Sequence, residues 1–545
     1  MTDRRRLDAV IIAADQPLEV LGKEYRDRVR LRVDGVPATL EFLRHYFRLG
    51  RDAARAQAAL ESEGLPFLSL NGPYLCQYLE ARGFSTRLIR VLTTARSEFL
   101  ELLSERPRAV VISTTFLPFA AQIEELARLV KAHAPETALV AGGVQVWKSY
   151  RHKQLLDAGL IAPDIRAQVC EHNFLMDPAR PSCLDALIVN PRGEATLAKF
   201  LSALRDGGDW RRLENVAWFD GGQCKTNPVK EEPEGEVQVD WSAVAPAPER
   251  TYYPVQAGHG CSLRCAFCDF CGLFPKQKLR APESVIRGLR TIPEAGGVRR
   301  VYFTDDNLFA TRRRVTDVCQ AIVRSGLKLR WRGMFHIGIV DEAIAEVLAR
   351  SGCLEVLLGI ESGDAEILRR MNKRITPERI LRGLELLARH GIHTKSTFIV
   401  GFPGENERTL RNTVDLLNAY PTSGPGAHRY LFFTFAVLPL AQVAGPEWRA
   451  RYKLEGYGYH WRHETMDSEE AGRRLAAVQE AIKPELSPSY VLEVPELPGL
   501  NGADVQRIYC LRNLLARSAA AVQSSSVGPQ WDELESAILP AAGGT

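Results

Sequence analysis

The sequence predicts an α/β protein built from two successive parallel β/α units and a mixed, mainly helical C-terminal region. Apolar strand-like runs alternate with amphipathic stretches over residues 1–210 and again over residues 251–440. The strands of the second unit are almost continuously apolar, which is typical of a parallel sheet covered on both faces. With 545 residues, the chain is also longer than one ordinary hydrophobic core can organise.

The first unit, residues 1–210, has the pattern of an open, Rossmann-like sheet, and residues 15–66 interrupt that pattern as an insertion. Glycines follow the first and last predicted helices, as is common at helix C-termini. The predicted strands are 8–14, 85–92, 109–115, 137–143 and 185–190, and the predicted helices are 73–83, 123–135 and 194–208.

A connecting segment over residues 211–250 separates the two units. Residues 216–227 predict a hairpin, because Asp220-Gly221-Gly222 would form its tip. Residues 228–250 are rich in Pro and Glu and predict a linker.

The second unit, residues 251–440, predicts a partial parallel barrel of six β/α repeats. In such barrels the functional residues lie at the C-terminal ends of the strands. Residues 441–545 predict a mixed, mainly helical C-terminal domain. The predicted strands of the barrel include 299–305, 327–335, 354–361, 393–401 and 429–438, and its helices include 341–352, 377–391 and 407–420.

Composition and charge exclude several classes of protein. The 70 basic and 66 acidic residues nearly balance, which argues against nucleic acid or another polyanion as a partner. No apolar run approaches the roughly 20 residues of a membrane span. Eleven cysteines, four of them in one loop, do not resemble a secreted disulfide framework. We therefore expect a cytoplasmic protein with no membrane or nucleic-acid partner.

The segment GHGCSLRCAFCDFCG holds four cysteines from which two triplets can be drawn. Cys261, Cys265 and Cys268 are spaced C-x3-C-x2-C, whereas the second triplet replaces Cys261 with Cys271. A zinc site would need a fourth ligand, for which His259 is the nearby candidate. Three thiolates suit a [4Fe–4S] cluster with one iron left open. A ferredoxin-type carrier would add a remote cysteine followed by Pro, and no cysteine of this chain has that neighbour.

The second unit resembles the radical S-adenosylmethionine (SAM) superfamily, whose hallmark is C-x3-C-x-aromatic-C in the loop after the first barrel strand. The resemblance selects Cys261, Cys265 and Cys268 as cluster ligands, with Cys271 as a neighbour only. Each further matching segment also has a plain structural interpretation, as a strand cap or a helix start. The SAM contacts that the resemblance implies are Phe267, Asp305, Asp306, Glu361, Ser396, Gly401 and Gly404.

Residues 65–210 resemble the cobalamin-binding domain of cobalamin-dependent radical SAM enzymes. Small residues at strand ends let a bulky nucleotide tail approach the backbone. The Asp-x-His-x-x-Gly motif of many cobalamin proteins is absent, so we expect cobalt without a His lower ligand; the other interpretation is a relic domain without cobalamin. The implied cobalamin contacts are Tyr74, Ser113, Thr114, Thr115, Gly142, Gly143, Gly193 and Glu194.

A methylthiotransferase is the rival interpretation, but it would need three more cysteines at strand ends. Cys76 falls within a predicted helix, and Cys170 and Cys183 share one predicted loop, so that interpretation fails.

The resemblance implies a methyltransferase that uses three cofactors: a [4Fe–4S] cluster, SAM and cobalamin. A 5′-deoxyadenosyl radical would abstract hydrogen from an unactivated centre of a small-molecule or peptide substrate, and methylcobalamin would supply the methyl group. An external donor of flavodoxin or ferredoxin type would supply electrons. Oxidation, cyclisation or rearrangement without methyl transfer is the alternative, and a non-catalytic cofactor-binding protein is a second one.

The segment YGYHWRHETM follows the last predicted barrel strand and crowds aromatic and histidine residues together. His460 and His463 are therefore candidate catalytic residues, because imidazole titrates near neutrality. The other interpretation is that Trp461 anchors the C-terminal domain and the histidines lie at the surface.

Overall fold

A computed structural model describes most of the chain, and its two large sheets correspond to the two predicted β/α units. Each sheet has seven strands, and parallel pairing dominates both. No described helix is long and apolar enough to cross a membrane. The described residues are 6–15, 31–63, 67–117, 119–161, 176, 183–232, 237–244, 247–308, 311–489, 493–497, 499–518 and 529–539.

The first unit confirms the five strands predicted for it. Their sheet has the order 86–89, 9–14, 109–116, 138–142, 186–188, and all four pairings between them are parallel. Its elements, with those of the insertion, are β1 (Ala9–Ala14), β2 (Arg32–Val33), β3 (Val36–Pro37), α1 (Leu40–Arg48), α2 (Ala53–Glu63), α3 (Asn71–Glu80), β4 (Thr86–Ile89), α4 (Arg96–Ser104), β5 (Ala109–Phe116), α5 (Ala120–His133), β6 (Ala138–Gly142), α6 (Val144–Asp157), β7 (Ala186–Ile188), α7 (Glu194–Asp206), β8 (Val216–Asp220) and β9 (Gln223–Thr226).

The predicted hairpin forms, but it belongs to the first sheet rather than to a separate connecting segment. β8 pairs antiparallel with β7, and β9 continues the sheet edge. Gly221 and Gly222 both have positive φ, which the tight turn between the two strands requires. The first unit therefore extends past residue 210 to residue 226.

The second unit confirms the partial barrel of six β/α repeats. Six strands pair in parallel in the order β10-β13-β14-β15-β16-β17, and a short C-terminal strand joins β17 at the open edge. The elements are β10 (Tyr253–Val255), β11 (Gly258–His259), α8 (Phe270–Leu273), β12 (Lys278–Leu279), α9 (Pro282–Arg290), β13 (Arg299–Phe303), α10 (Arg312–Ser325), β14 (Leu329–Met334), α11 (Glu342–Arg350), β15 (Cys353–Glu361), α12 (Ala365–Arg370), α13 (Pro377–Arg389), β16 (His393–Val400), α14 (Glu407–Asn418) and β17 (His428–Thr434).

The C-terminal region is mixed, as predicted, and it begins with a small antiparallel sheet that the sequence did not indicate. This sheet joins three short strands in sequence order. The elements are α15 (Pro446–Tyr452), β18 (Glu455–Tyr457), β19 (His460–His463), β20 (Met466–Asp467), α16 (Ser468–Ala481), β21 (Ser487–Pro488), α17 (Gly502–Arg517) and α18 (Pro529–Ile538).

The described part of the insertion packs on the C-terminal helices rather than on the sheet that it interrupts. Phe42, Tyr46 and Phe47 of α1 share a buried cluster with Tyr509 of α17 and Trp531 of α18. Tyr46 and Trp531 lie 6.3 Å apart between ring centroids. Residues far apart in sequence therefore form one helical layer.

Candidate active site

The cysteine loop begins on a two-stranded hairpin of β11 and β12. A Cβ atom at Gly258 would lie 2.7 Å from the carbonyl oxygen of Lys278, and one at Gly260 would lie 2.4 Å from that of Lys276. Gly260 also has a φ of +75°. Both glycines are therefore required for the close approach that starts the loop after β10.

The segment between α12 and α13 holds the middle of the cysteine loop. The Ala266 amide donates to the Met371 carbonyl at 3.0 Å, and Asn372 Nδ2 donates to the Arg264 carbonyl at 2.7 Å. These two bonds flank Cys265, which is buried. The backbone around this cysteine is therefore fixed on both sides.

Helix α6 of the first unit binds the end of the cysteine loop. Trp147 Nε1 donates to the Leu273 carbonyl at 3.1 Å, and Arg151 donates to the Gly272 carbonyl at 3.1 Å. Lys148 Nζ forms an ion pair of 2.8 Å with Asp269. The sequence analysis did not find these residues, since their side chains are ordinary helix residues until the two units are brought together.

The four cysteine thiols interact with one another electrostatically. Burial, with the neighbouring Cys268 and Cys261 thiols, raises the pKa of Cys265 to about 11. The Cys271 thiol lowers the pKa of Cys268 and donates to the Leu263 carbonyl at 2.8 Å. Cys271 thus lies beside the predicted ligands, and its role as a neighbour only stays a prediction.

The zinc interpretation finds no support in the described part of the chain, where no group of three or more His, Cys, Asp or Glu side chains is placed to hold a single ion. Zinc needs four ligands at about 2.0–2.3 Å from one centre. His259 Nδ1 instead accepts a hydrogen bond from Arg192. Three thiolates on one loop, each free to bind a different iron, fit a cubane cluster.

Asp305, Asp306 and Asn307 follow β13 and face the start of the cysteine loop. Asp305 Oδ2 accepts from the Ala257 amide at 2.9 Å, and its Oδ1 is buried without a partner. Burial raises the pKa of Asp305 to about 7 and that of Asp306 to about 6. Asn307, which the sequence analysis missed, hydrogen-bonds to Cys261. These acceptors fit a ligand that carries an ammonium group.

Glu361 ends β15 with a φ of +75°, which is rare for a residue with a side chain. Its Oε1 accepts from Thr397 Oγ1 at 3.1 Å and lies 3.9 Å from Lys373 Nζ. A Cβ atom at Gly359 would lie 2.5 Å from this oxygen, so a larger residue there would displace the Glu361 side chain. The Glu361 carboxylate is thus held at the strand end, as the prediction for a SAM contact requires.

The remaining predicted SAM contacts are packed against neighbouring side chains; they are Phe267, Ser396, Gly401 and Gly404. The Ser396 side chain is buried beside Tyr420, and a SAM contact at Ser396 stays a prediction. Cβ atoms at Gly401 and Gly404 would clash with Trp461 and Arg370, so packing explains these glycines. Phe267 is half-buried against an apolar cluster. Backbone contacts from the glycines remain a prediction.

The strand ends of the first sheet form a connected polar rim. Asn71 Nδ2 donates to Ser113 Oγ at 2.8 Å, and Thr114 Oγ1 donates to the Gly142 carbonyl at 2.8 Å. Gly143 has a φ of +104°. Thr115 beside it is exposed. Ser113 and Thr114 therefore shape the rim, whereas Thr115 presents a free surface.

The entry to α3 faces the start of α7 at the same rim. Tyr74 donates to Glu194 Oε1 at 2.8 Å. Burial raises the pKa of Tyr74 well above its usual value, so the phenol stays protonated. A Cβ atom at Gly193 would lie 2.4 Å from Ile188, which explains glycine before the helix.

A cavity of about 2350 Å³ joins this rim to the barrel mouth. Thr115 and Gly143 line it from the first sheet, and Thr304 and Asp306 line it from the barrel. The carboxyl ends of both parallel sheets therefore open into one space, where ligands of such sheets usually bind.

The two candidate histidines differ in their surroundings. His463 is buried, its Nε2 donates to the Gly401 carbonyl at 3.0 Å, and its ring stacks on Trp461 at 4.9 Å. Burial lowers its pKa. His460 is exposed on β19. Neither ring lines the shared cavity, so the structure does not support the predicted catalytic role for these residues.

Comparison with known proteins supports the assignment of the barrel. Residues 255–417 match the family model described as the Radical SAM superfamily. An uncharacterized methyltransferase of Pyrococcus horikoshii is 25% identical over 240 residues, which cover 43% of this chain and 52% of that protein. The anaerobic magnesium-protoporphyrin IX monomethyl ester cyclase of Rubrivivax gelatinosus is 23% identical over 358 residues, covering 62% of this chain and 60% of the relative. The chain thus spans about half to three fifths of the curated relatives it matches.

Two solved structures share the fold of the chain at low sequence identity. The radical SAM methyltransferase TsrM of Kitasatospora setae, with tryptophan and a SAM analogue bound, superposes with a TM-score of 0.54 at 16% identity over 86% of this chain and 95% of that one. The cobalamin-dependent radical enzyme OxsB gives 0.51 at 16% identity over 82% and 58%. Residues 255–417 therefore match the Radical SAM superfamily, and the chain as a whole shares its fold with TsrM and OxsB.

Proposed function

We propose that this chain is a cobalamin-dependent radical SAM methyltransferase that methylates an unactivated centre of a small-molecule or peptide substrate. The shared cavity carries the proposal, because it brings the strand ends around Gly143 and those around Asp306 into one space. A methyl donor held by the first sheet and a radical formed at the barrel mouth must meet the same substrate atom. Two cofactor sites that opened into separate spaces could not do this.

The barrel residues hold the cluster and SAM in this proposal. Cys261, Cys265 and Cys268 supply three thiolates, and the cluster bound there supplies the electron that cleaves SAM. Asp306 accepts from the methionyl ammonium group, and Glu361 binds at the ribose or methionyl end. Glu361 is buried and Asp306 is half-buried where it lines the cavity, which limits the water that can compete for the same hydrogen bonds.

The first sheet positions cobalamin in this proposal. Gly143 and Thr115 leave open space for the nucleotide tail, while Thr114 fixes the Gly142 carbonyl at 2.8 Å. Tyr74 and Glu194 are joined by a hydrogen bond and form part of the cavity wall. Helix α6 begins directly after Gly143 on the cobalamin side, and its Trp147 donates to the cysteine loop on the cluster side. In this proposal the helix therefore fixes the positions of the two cofactor sites relative to each other.

The electron source and the compartment are parts of the same proposal. The four clustered cysteines can hold one cluster, so we propose that an external donor of flavodoxin or ferredoxin type supplies its electrons. The eleven cysteines, four of them in one loop, suit the reducing cytoplasm.

Anaerobic protein with reconstituted cluster and added hydroxocobalamin tests the proposal without a known substrate. We expect iron–sulfur and protein-bound cobalamin absorbance together, and a strong reductant with SAM should release 5′-deoxyadenosine. Labelled methyl from SAM should also reach cobalamin, with S-adenosylhomocysteine as the second product. Release of 5′-deoxyadenosine without any S-adenosylhomocysteine would instead favour oxidation, cyclisation or rearrangement.

A further inference from the structure

On β15, β16 and β17, the inner face of the barrel is accessible only towards the C-terminal ends of the strands. In β16, Thr397 and Ile399 are half-buried, while the residues on either side of each are buried. In β17, Leu431 and Phe433 are half-buried on both sides of the buried Phe432. Side chains alternate between the two faces of a strand, so the accessible residues share the inner face.

The accessible residues of neighbouring strands lie at matching heights. Leu431 is the partner of Thr397 in the strand register, and Phe433 is the partner of Ile399. On the next strands Leu357 is the partner of Met334, which is 38% exposed. Barrels of this kind usually fill their interior with side chains. Here the upper interior is instead an open chamber.

The lower interior is closed by paired charges. Arg332 Nη2 lies 2.5 Å from Glu355 Oε2, and Arg429 also contacts Glu355. Arg429 donates to Glu493 at 3.0 Å, and Arg512 donates to the same carboxylate at 3.1 Å. These five side chains are at most 3% exposed, and their charges form ion pairs with one another.

Two aromatic rings contact Arg332 in this charged layer. The Arg332 guanidinium carbon lies 5.1 Å from the ring centroid of Phe67 and 5.7 Å from that of Tyr302. Both rings line the large cavity together with Leu357. Arg332 lines the same cavity, so the paired charges mark the lower limit of the apolar part of the interior.

We propose that the chamber lined by Met334, Leu357, Ile399, Leu431 and Phe433 receives an uncharged apolar part of the substrate, such as an alkyl, isoprenoid or aromatic group. This inference rests on the proposed function, since it names the substrate class for that site. A charged or richly hydroxylated group would lose its hydration there without gaining partners. Of the polar side chains on this wall, Thr397 already donates its hydroxyl to Glu361, and Lys395, the strand partner of Leu357, is buried.

An apolar group in this chamber would lie close to the predicted SAM site. Its upper layer, Ile399 and Phe433, lies at the level where Glu361 and Thr397 meet, directly below the predicted SAM position. An apolar group seated in the chamber would present a carbon near the radical. The apolar wall offers no hydrogen bonds to that group, so the wall would orient the group by shape.

The neutral dye N-phenyl-1-naphthylamine tests the chamber in the holoenzyme loaded with cluster, cobalamin and SAM. Its fluorescence rises in apolar surroundings, and we expect saturable binding by the wild type. Leu431→Asn, which keeps the size but not the polarity, should weaken binding at least about fivefold, and Ile399→Thr should do the same. Leu431→Met, which stays apolar, should bind as the wild type does.

Leu514→Asn is the matched control, because Leu514 is 37% exposed on α17, outside the chamber. Equal dye affinity in Leu431→Asn, Ile399→Thr and Leu514→Asn would overturn the inference. Tighter binding of the anionic dye 1-anilinonaphthalene-8-sulfonate, lost in Arg332→Gln, would also overturn it in favour of a charged ligand. Dye binding needs no turnover, so this result stands apart from the tests of methyl transfer.

Discussion

Lys373 Nζ lies 3.9 Å from Glu361 Oε1, and both side chains are less than 10% exposed. The pair lies beside the cysteine loop, because the Lys373 ammonium lowers the pKa of Cys265 against the effect of burial. Residues on either side of Lys373 reinforce this position: His336 Nε2 donates to the Lys373 carbonyl at 2.9 Å, and Asn372 bonds to the loop. One buried cation thus faces both a predicted SAM contact and a predicted cluster ligand.

Lys373→Met should make the cluster harder to reduce. The ammonium stabilises the more negative reduced state, so its loss should lower the midpoint potential by on the order of tens of millivolts. A redox titration followed by electron paramagnetic resonance measures this. Arg374→Met is the matched control, since Arg374 is the exposed neighbour. Equal potentials in the two variants would show that Lys373 acts on Glu361 alone.

The three predicted ligands and Cys271 should respond differently to replacement. Alanine at Cys261, Cys265 or Cys268 should abolish the iron–sulfur absorbance of the reconstituted protein, because each removes a thiolate. Cys271→Ala removes only a thiol that donates to Leu263 and should keep the absorbance. Retention in Cys261→Ala with loss in Cys271→Ala would reverse the choice of triplet.

Thr115→Trp should block cobalamin without harming the first sheet. Thr115 is exposed and lines the shared cavity, so an indole there would fill space meant for the nucleotide tail. We expect cobalamin affinity to fall about tenfold or more, while cluster content stays constant. Gly143→Leu is less informative, because the φ of +104° at Gly143 would strain any side chain. Thr226→Trp on the far edge strand is the control, and equal cobalamin uptake in both tryptophan variants would remove the rim from the site.

The strands were predictable from the sequence because strands that are buried on both faces form almost continuous apolar runs. β16 was predicted over 393–401 and spans His393–Val400. The bonds from Trp147 and Arg151 to the cysteine loop were not predictable, since helical periodicity indicates an apolar face but not its partner. Lys373 was missed for the same reason. It lies in a loop, and its role follows from its contact with Glu361 and from the bond of its neighbour Asn372 to the cysteine loop, which the sequence alone does not bring together.

The face of β16 on which Ser396 lies was not predictable from the sequence for a similar reason. A motif locates a strand end, but the face that each residue occupies follows from register, and a one-residue shift reverses it. Thr397, the next residue, faces the interior and binds Glu361. The small sheet β18–β20 was also missed, because strands of two to four residues carry too few positions for a period to show.

Glu405→Gln should stabilise the protein at pH 8 but not at pH 5. Burial raises the pKa of Glu405 to about 8, although the Gly401 amide donates to it at 2.6 Å. A folded-state pKa above the unfolded value of 4.5 favours the fold at low pH, and this contribution is lost as the pH rises through 8. The neutral amide removes that loss, which is on the order of a few kcal/mol.

Urea unfolding of both proteins at pH 5 and pH 8 measures the effect of Glu405→Gln. Glu407→Gln is the control, since the Glu407 side chain is 84% exposed and should change neither value. If the wild type and Glu405→Gln lose stability equally between pH 5 and pH 8, the Glu405 carboxyl does not titrate in that range.

His463→Ala should destabilise the fold, whereas His460→Ala should leave it unchanged. His463 donates to the Gly401 carbonyl, accepts from Thr465 at 3.1 Å and stacks on Trp461, so its loss should cost about 1–3 kcal/mol. His463→Gln can still donate to Gly401 and should recover part of that loss. Because burial lowers the pKa of His463, the ring is already neutral near pH 7, and its removal should leave the pH profile of SAM cleavage unchanged. Denaturant unfolding and the rate of 5′-deoxyadenosine release between pH 6 and 9 measure both effects. A His463→Ala protein of wild-type stability that lost one limb of that profile would instead give this histidine a role in proton transfer.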